Sequence, residues 1–511
     1  MNEICPPEEN ATQRNICYTS FFWVVFLVIS SCLPLLLAPK ASAKYIGIAF
    51  HFITNELGWL YMLAGLVSFI FVLWLAFGPL GDKKLGEEKE YSTFSWIGML
   101  ICAGVGAGVL FGGAIEWAYY MSYPLQGETV GSKKAIEWAG AYGLFHWGPV
   151  CWAIYATLAV PMAYNYYVKK VPILNIAQTC KGVLGERANH WPGKVINIFF
   201  MAGLVAGSAT ALGIGVPVIA ACLVSVFGFA PSFQLEFLTL LGITMLFCMT
   251  SYLGLKNGLS KLSDLNVYAA LFLLLFVLIV GPSVFIIETS LASLGLLTTE
   301  IVRMATWMDP SSETSFVKDW TVFYYAWFVA YAPFMGLFIA KISRGRTVRE
   351  VVLGPVILAS LGCGLFYLIF GNFGLHLQLT GQLDVVELVK TNKGATVIMQ
   401  IADFLPWAPL YKLLYALVMA ISMATTLDAV SFALSASTTK QLQPDEEPAH
   451  WNRLFWAIVL GFIPTGMLFI DGPLSILQTA SIVVGLPVLF IIWLGVYSFL
   501  KDYLRDGWLT D

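Results

Sequence analysis

Cys102-Ala103-Gly104-Val105-Gly106-Ala107-Gly108-Val109-Leu110-Phe111-Gly112-Gly113 lies inside an apolar stretch, 94–121, long enough to cross a bilayer. Five of its last ten residues are glycine, and each weakens a helix by about 1 kcal/mol relative to alanine. A helix in lipid carries such a run for one of two reasons. It unwinds near the midplane, where bare carbonyls and half-helix ends can bind ions or polar groups. Alternatively, it lets a neighbouring helix approach closely, as small-xxx-small pairs do. On sequence both readings stand for Gly104, Gly106 and Gly108.

The rest of the chain is of the same kind. Of 511 residues, 58% are hydrophobic and 12% charged, about half the charge of a soluble domain. Apolar runs follow one another without the polar linkers that a soluble chain of several domains would need. Each must be helical, because backbone groups in hydrocarbon find no water. The chain reads as an all-α polytopic membrane protein with twelve transmembrane helices. They fall at 21–39, 56–78, 94–121, 142–166, 195–224, 235–255, 265–287, 321–341, 352–372, 407–437, 454–471 and 474–499. With both termini cytoplasmic, about two-thirds of the 28 Lys and Arg sit on the inner side, as the positive-inside rule asks. Among them are Lys83, Lys84, Lys89, Lys341, Arg344, Arg346 and Arg349.

A net charge of −3 gives no reason to expect nucleic acid as a partner. Nine scattered cysteines with no CxxC pair read as buried thiols, with no metal site and no disulfide framework. Residues 1–20 read as a cytoplasmic N-terminal segment without a cleavable signal, and 501–511 as a short cytoplasmic tail. The outer segment 288–320 opens with an amphipathic pattern (Leu291, Leu294, Leu297, Ile301, Met304) that suits a helix on the membrane surface.

A second break is expected in span eight, at Tyr331-Ala332-Pro333-Phe334-Met335-Gly336, since proline removes a donor and crowds the preceding turn. Spans three and eight then open two five-helix units of inverted topology, 94–287 and 321–500, after two extra helices in 21–93. That layout is characteristic of secondary transporters. Span eight also carries Trp320, Tyr324, Trp327 and Tyr331 at helical spacing, on one stripe. An aromatic belt hugs one membrane surface; this stripe runs about 16 Å along the helix. Span four adds Phe145-His146-Trp147, and span three adds Trp117, Tyr119 and Tyr120. Converging aromatic faces can hold a quaternary ammonium by cation–π attraction. His146 itself reads as a packed or helix-end histidine.

The runs GVGAGVLFGGAIE (104–116), FHWGP (145–149) and AKISRGRTVRE (340–350) resemble the betaine/choline/carnitine transporter family, in register over nearly the whole chain. The resemblance implies an amino-acid/sodium symporter-like fold, two inverted five-helix repeats and a homotrimer in a bacterial inner membrane. It implies a substrate such as carnitine, γ-butyrobetaine, glycine betaine or choline. The family's aromatic box falls on Trp147, Trp327, Tyr331 and Tyr119, with Phe328 where relatives often have tryptophan and Trp320 on the access side. Thr425 and Thr426 look like the hydroxyl pair of sodium-driven members, and Thr210, beside Phe334, like part of another sodium site. Met335 instead resembles the sodium-independent exchangers, whose arginine aligns with Ser260, next to Lys261. Choline-type members tend to carry an aspartate in the glycine stretch; its absence here favours a zwitterion. No cofactor is expected apart from possible Na+. An enzyme would need convergent ionisable groups at membrane depth; Glu116 and Asp428 are present, without an HExxH motif or a histidine cluster.

Overall fold

A computed structural model describes residues 16–171, 176–253, 260–311, 314–439, 448–468 and 474–506. Apart from one two-residue antiparallel ladder, Lys84–Leu85 with Arg346–Thr347, its regular structure is helical. Among the described residues ten helices are long and apolar enough to cross a membrane, or eleven if one bent pair is a single span. The chain is a multi-pass helical membrane protein.

The bent pair is the glycine stretch. Thr93–Ala103 and Ala107–Tyr120 meet at 57°, with Gly104-Val105-Gly106 between them. Gly106 is extended (φ −130°, ψ 173°), so the helical ladder is interrupted. The unwound part is shorter than the glycine spacing suggested, for Gly108 already lies in the first turn of the second helix.

Span four has a break that the sequence reading did not anticipate. Lys133–His146 ends at Trp147, Gly148 is extended, and Pro149 opens Pro149–Ala163, where its missing N–H costs nothing. Span eight is the reverse case. The expected interruption at Pro333 is absent, and Val322–Ile342 runs continuously through it. One lost hydrogen bond does not open a helix so tightly held; a Cβ on Gly336 would lie 3.0 Å from Leu158 Cβ and 3.3 Å from Ala159 N. The irregular turn comes earlier, as a π-helical turn at Val317–Thr321.

Gly281-Pro282 ends the seventh expected span at Val280, short of residue 287, and Ser283–Thr306 follows as one helix. It is apolar enough to count among the ten. It buries Ile286, Ser293, Leu297 and Met304, and Ser293 fills the space left by Gly140. The Ser343–Thr347 signature has a structural reason. Gly345 takes φ +72° against the backbone of Glu88. Arg346 then stacks 4.1 Å over the Trp96 ring and donates to Glu350 and to the carbonyls of Tyr91 and Ser92. Val322–Ile342 packs chiefly on Pro149–Ala163 and on Leu474–Asp506, while Trp191–Phe227 packs on Ala408–Ser437. The broken helices and the aromatic stripe thus meet in the interior.

Candidate functional site

At the span-three break the helix is interrupted and a neighbouring helix also approaches closely. A Cβ on Gly104 would sit 2.8 Å from the Ala359 carbonyl oxygen and 2.8 Å from Cys363 Sγ, so the neighbouring chain is in close contact. Cys363 Sγ donates to the freed Gly104 carbonyl at 3.3 Å. Buried backbone groups seek partners, and a thiol serves here.

Gly108 does something different. A Cβ there would lie 2.7 Å from Trp147 Cη2 and 3.1 Å from Trp327 Cη2. Its bare backbone admits both indoles, which meet edge-to-face at 5.8 Å and 83°. Trp147 also meets Phe328 at 5.4 Å and Tyr324 at 5.6 Å, both edge-on. Tyr324 stacks on Trp327 and on Trp320, each at 6.3 Å, and Trp320 lies 5.7 Å from Tyr119. Trp147, Trp327, Phe328, Tyr324, Trp320 and Tyr119 therefore form one continuous cluster. Tyr331 stands apart from that chain of rings. Its ring fills the space beside Gly207, its hydroxyl lies 2.9 Å from Ser208 Oγ, and Phe334 is its ring neighbour at 6.1 Å.

We expect Gly108→Val to force the two indoles apart and to weaken ligand quenching of tryptophan fluorescence by about tenfold or more, while the protein still elutes as a folded species. Quenching at wild-type affinity would show that the indole approach is not needed.

The hydroxyl residues are more dispersed. Thr425 donates to the Ile421 and Ser422 carbonyls at 3.0 and 3.1 Å. Thr426 beside it is half-buried, as are Phe334 and Met335. Thr210 is buried and lies 3.1 Å from Ser481 Oγ. Ser260 and Lys261 begin the Ser260–Val280 helix; their side chains lie outside the described residues. Among the described residues no group of three or more His, Cys, Asp or Glu comes together.

Sequence reasoning noted Glu116 without giving it a role, although it lies against the aromatic cluster. Glu116 is 2% exposed. Its carboxylate accepts from Tyr120 at 2.7 Å, from Tyr367 at 2.8 Å and from Tyr324. Because Tyr120 donates to Glu116, its 2.9 Å contact with His146 makes Nδ1–H the donor; Nε2, 2.9 Å from Thr321 Oγ1, is then left to accept. The available signal was an acidic residue within an apolar span, four positions before a tyrosine. The partners from other helices left no such trace.

Comparison with known families shows which family the chain belongs to. The model for the BCCT, betaine/carnitine/choline family transporter matches residues 17–507. The chain belongs to the BCCT family. This BCCT chain is similar to a transporter of Escherichia coli K12 named uncharacterized transporter YeaV, 33% identical over 436 residues, covering 85% of this chain and 91% of that protein. It is also similar to a carnitine transporter of Acinetobacter baumannii, 32% identical over 446 residues, covering 87% and 81%. Membership places the chain among membrane carriers of small molecules, in keeping with its apolar helices.

Proposed function

We propose that this BCCT chain is a secondary transporter of trimethylammonium zwitterions such as carnitine, γ-butyrobetaine and glycine betaine, working by alternating access. One observation carries the reading: Trp147 and Trp327 meet edge-to-face over a bare Gly108. A trimethylammonium group has no N–H to donate, so aromatic faces suit it better than a carboxylate in direct contact. Tyr324 and Phe328 extend the same wall, Tyr119 and Trp320 continue it towards the access side, and Tyr331 lies one helical step beyond. The similarity to a carnitine transporter supports this substrate class.

In this reading the chain has twelve spans, with inverted repeats over 94–287 and 321–500, both termini cytoplasmic, and a homotrimeric assembly in a bacterial inner membrane. Sodium coupling is supported by Thr425 and Thr426, which match the hydroxyl pair of sodium-driven members, and by the hydroxyl of Thr210, an oxygen donor type suited to Na+. Exchange without sodium is supported by Met335 on the aromatic helix.

The test is uptake of labelled carnitine into proteoliposomes, with or without a sodium gradient and with or without γ-butyrobetaine inside. Uptake that needs sodium assigns the hydroxyls to a coupling site. Uptake indifferent to sodium but accelerated from the inside makes the protein an exchanger. No uptake of any trimethylammonium compound under any of these conditions removes the reading.

A further inference from the structure

Glu116 poses a question that the aromatic cluster alone does not answer. It is a carboxylate in the interior of a membrane protein, surrounded by three phenol donors from three segments: its own helix, the Tyr367–Gly371 turn and Val322–Ile342. Among the described residues no lysine or arginine pairs with it. His146 reaches it only through the Tyr120 hydroxyl. An uncompensated buried charge is costly, and such groups in membranes usually serve function.

The fold is shaped to keep this arrangement. Gly112 leaves the space that Glu116 and the Tyr367 hydroxyl occupy, and a Cβ on Gly143 would lie 2.5 Å from Tyr367 Cδ1. Two positions thus give up a side chain so that Tyr367 can reach the carboxylate.

The carboxylate also has a direct connection to the aromatic cluster. Tyr324 donates to Glu116 and is the hub of the rings, edge-on to Trp147 and stacked with Trp327 and Trp320. A phenol that donates to an anion gains electron density in its ring, which strengthens its attraction for a cation.

The geometry points to Glu116 as the fixed counter-charge of the aromatic site: a positioning residue that acts through Tyr324 and makes the site select a permanent cation over an uncharged group of the same shape. This rests on the trimethylammonium reading and goes one step beyond it. The bound ammonium supplies the positive charge that the protein itself omits. A site of aromatic rings alone discriminates by shape and weak quadrupole attraction. A carboxylate one tyrosine away, ionised when the ammonium is bound, adds a long-range Coulomb preference in a low-dielectric interior.

The experiment compares γ-butyrobetaine with 5,5-dimethylhexanoate, its isostere with carbon in place of nitrogen, by titrating tryptophan fluorescence of the purified full-length protein. Wild type is expected to prefer the cation by more than about tenfold. Glu116→Gln should lose about tenfold for γ-butyrobetaine and leave the isostere within about twofold, collapsing the preference. Tyr324→Phe, which keeps the ring and removes the donor, should lose part of it. If Glu116→Gln does not fold, Tyr324→Phe carries the test. A preference retained in full in the folded variants, or an equal loss for both ligands, overturns the inference and leaves the substrate class standing. Wild type that binds neither ligand overturns both.

Discussion

Trp327→Ala is expected to weaken γ-butyrobetaine or carnitine binding by roughly 30-fold or more, since a desolvated cation–π contact is worth about 2 kcal/mol and each 1.4 kcal/mol is a factor of ten. The indole is buried between Phe323 and Tyr324, at 5.6 and 6.3 Å, and faces Trp147. Trp147→Ala should behave alike, and the double variant should lose less than the sum, because the rings form one wall. Titration calorimetry on detergent-purified protein reads the effect. Affinities unchanged in both single variants would move the substrate out of this cluster, in favour of another solute carried on the same fold.

The second large effect concerns folding. Asp428 and Arg453 are each 0% exposed and paired at 3.1 Å, tying Ala408–Ser437 to His450–Leu468. Ser251 donates to the same carboxylate, and the guanidinium lies 5.6 Å from the Phe432 ring centroid. Arg453→Ala takes the guanidinium away from a buried carboxylate, a change that typically costs about 3–5 kcal/mol. The thermal midpoint in detergent should fall markedly. Arg453→Leu combined with Asp428→Leu should recover most of the loss, because both charges of the pair leave the interior together. A single variant as stable as wild type would show that the pair contributes nothing net.

By itself the sequence determined the class and pointed to the aromatic residues of the candidate site. Apolar runs of spanning length leave helices as the available structure in lipid, and the glycine run marked where span three could open, although the structure confines the break to Gly104–Gly106. The stripe from Trp320 to Tyr331 was legible because helical periodicity is a local property. Gly112 and Gly143 were visible as glycines, but nothing nearby said that Tyr367 fills their space. Tertiary structure alone decided that Val322–Ile342 continues through Pro333, that Trp147 meets Trp327 across Gly108, that Tyr331 turns away to Ser208, and that three phenols converge on Glu116. The physical reason is the same in each case. Propensity and period act along the chain over a few residues, whereas the neighbours of a buried side chain are set by close packing between helices distant in sequence.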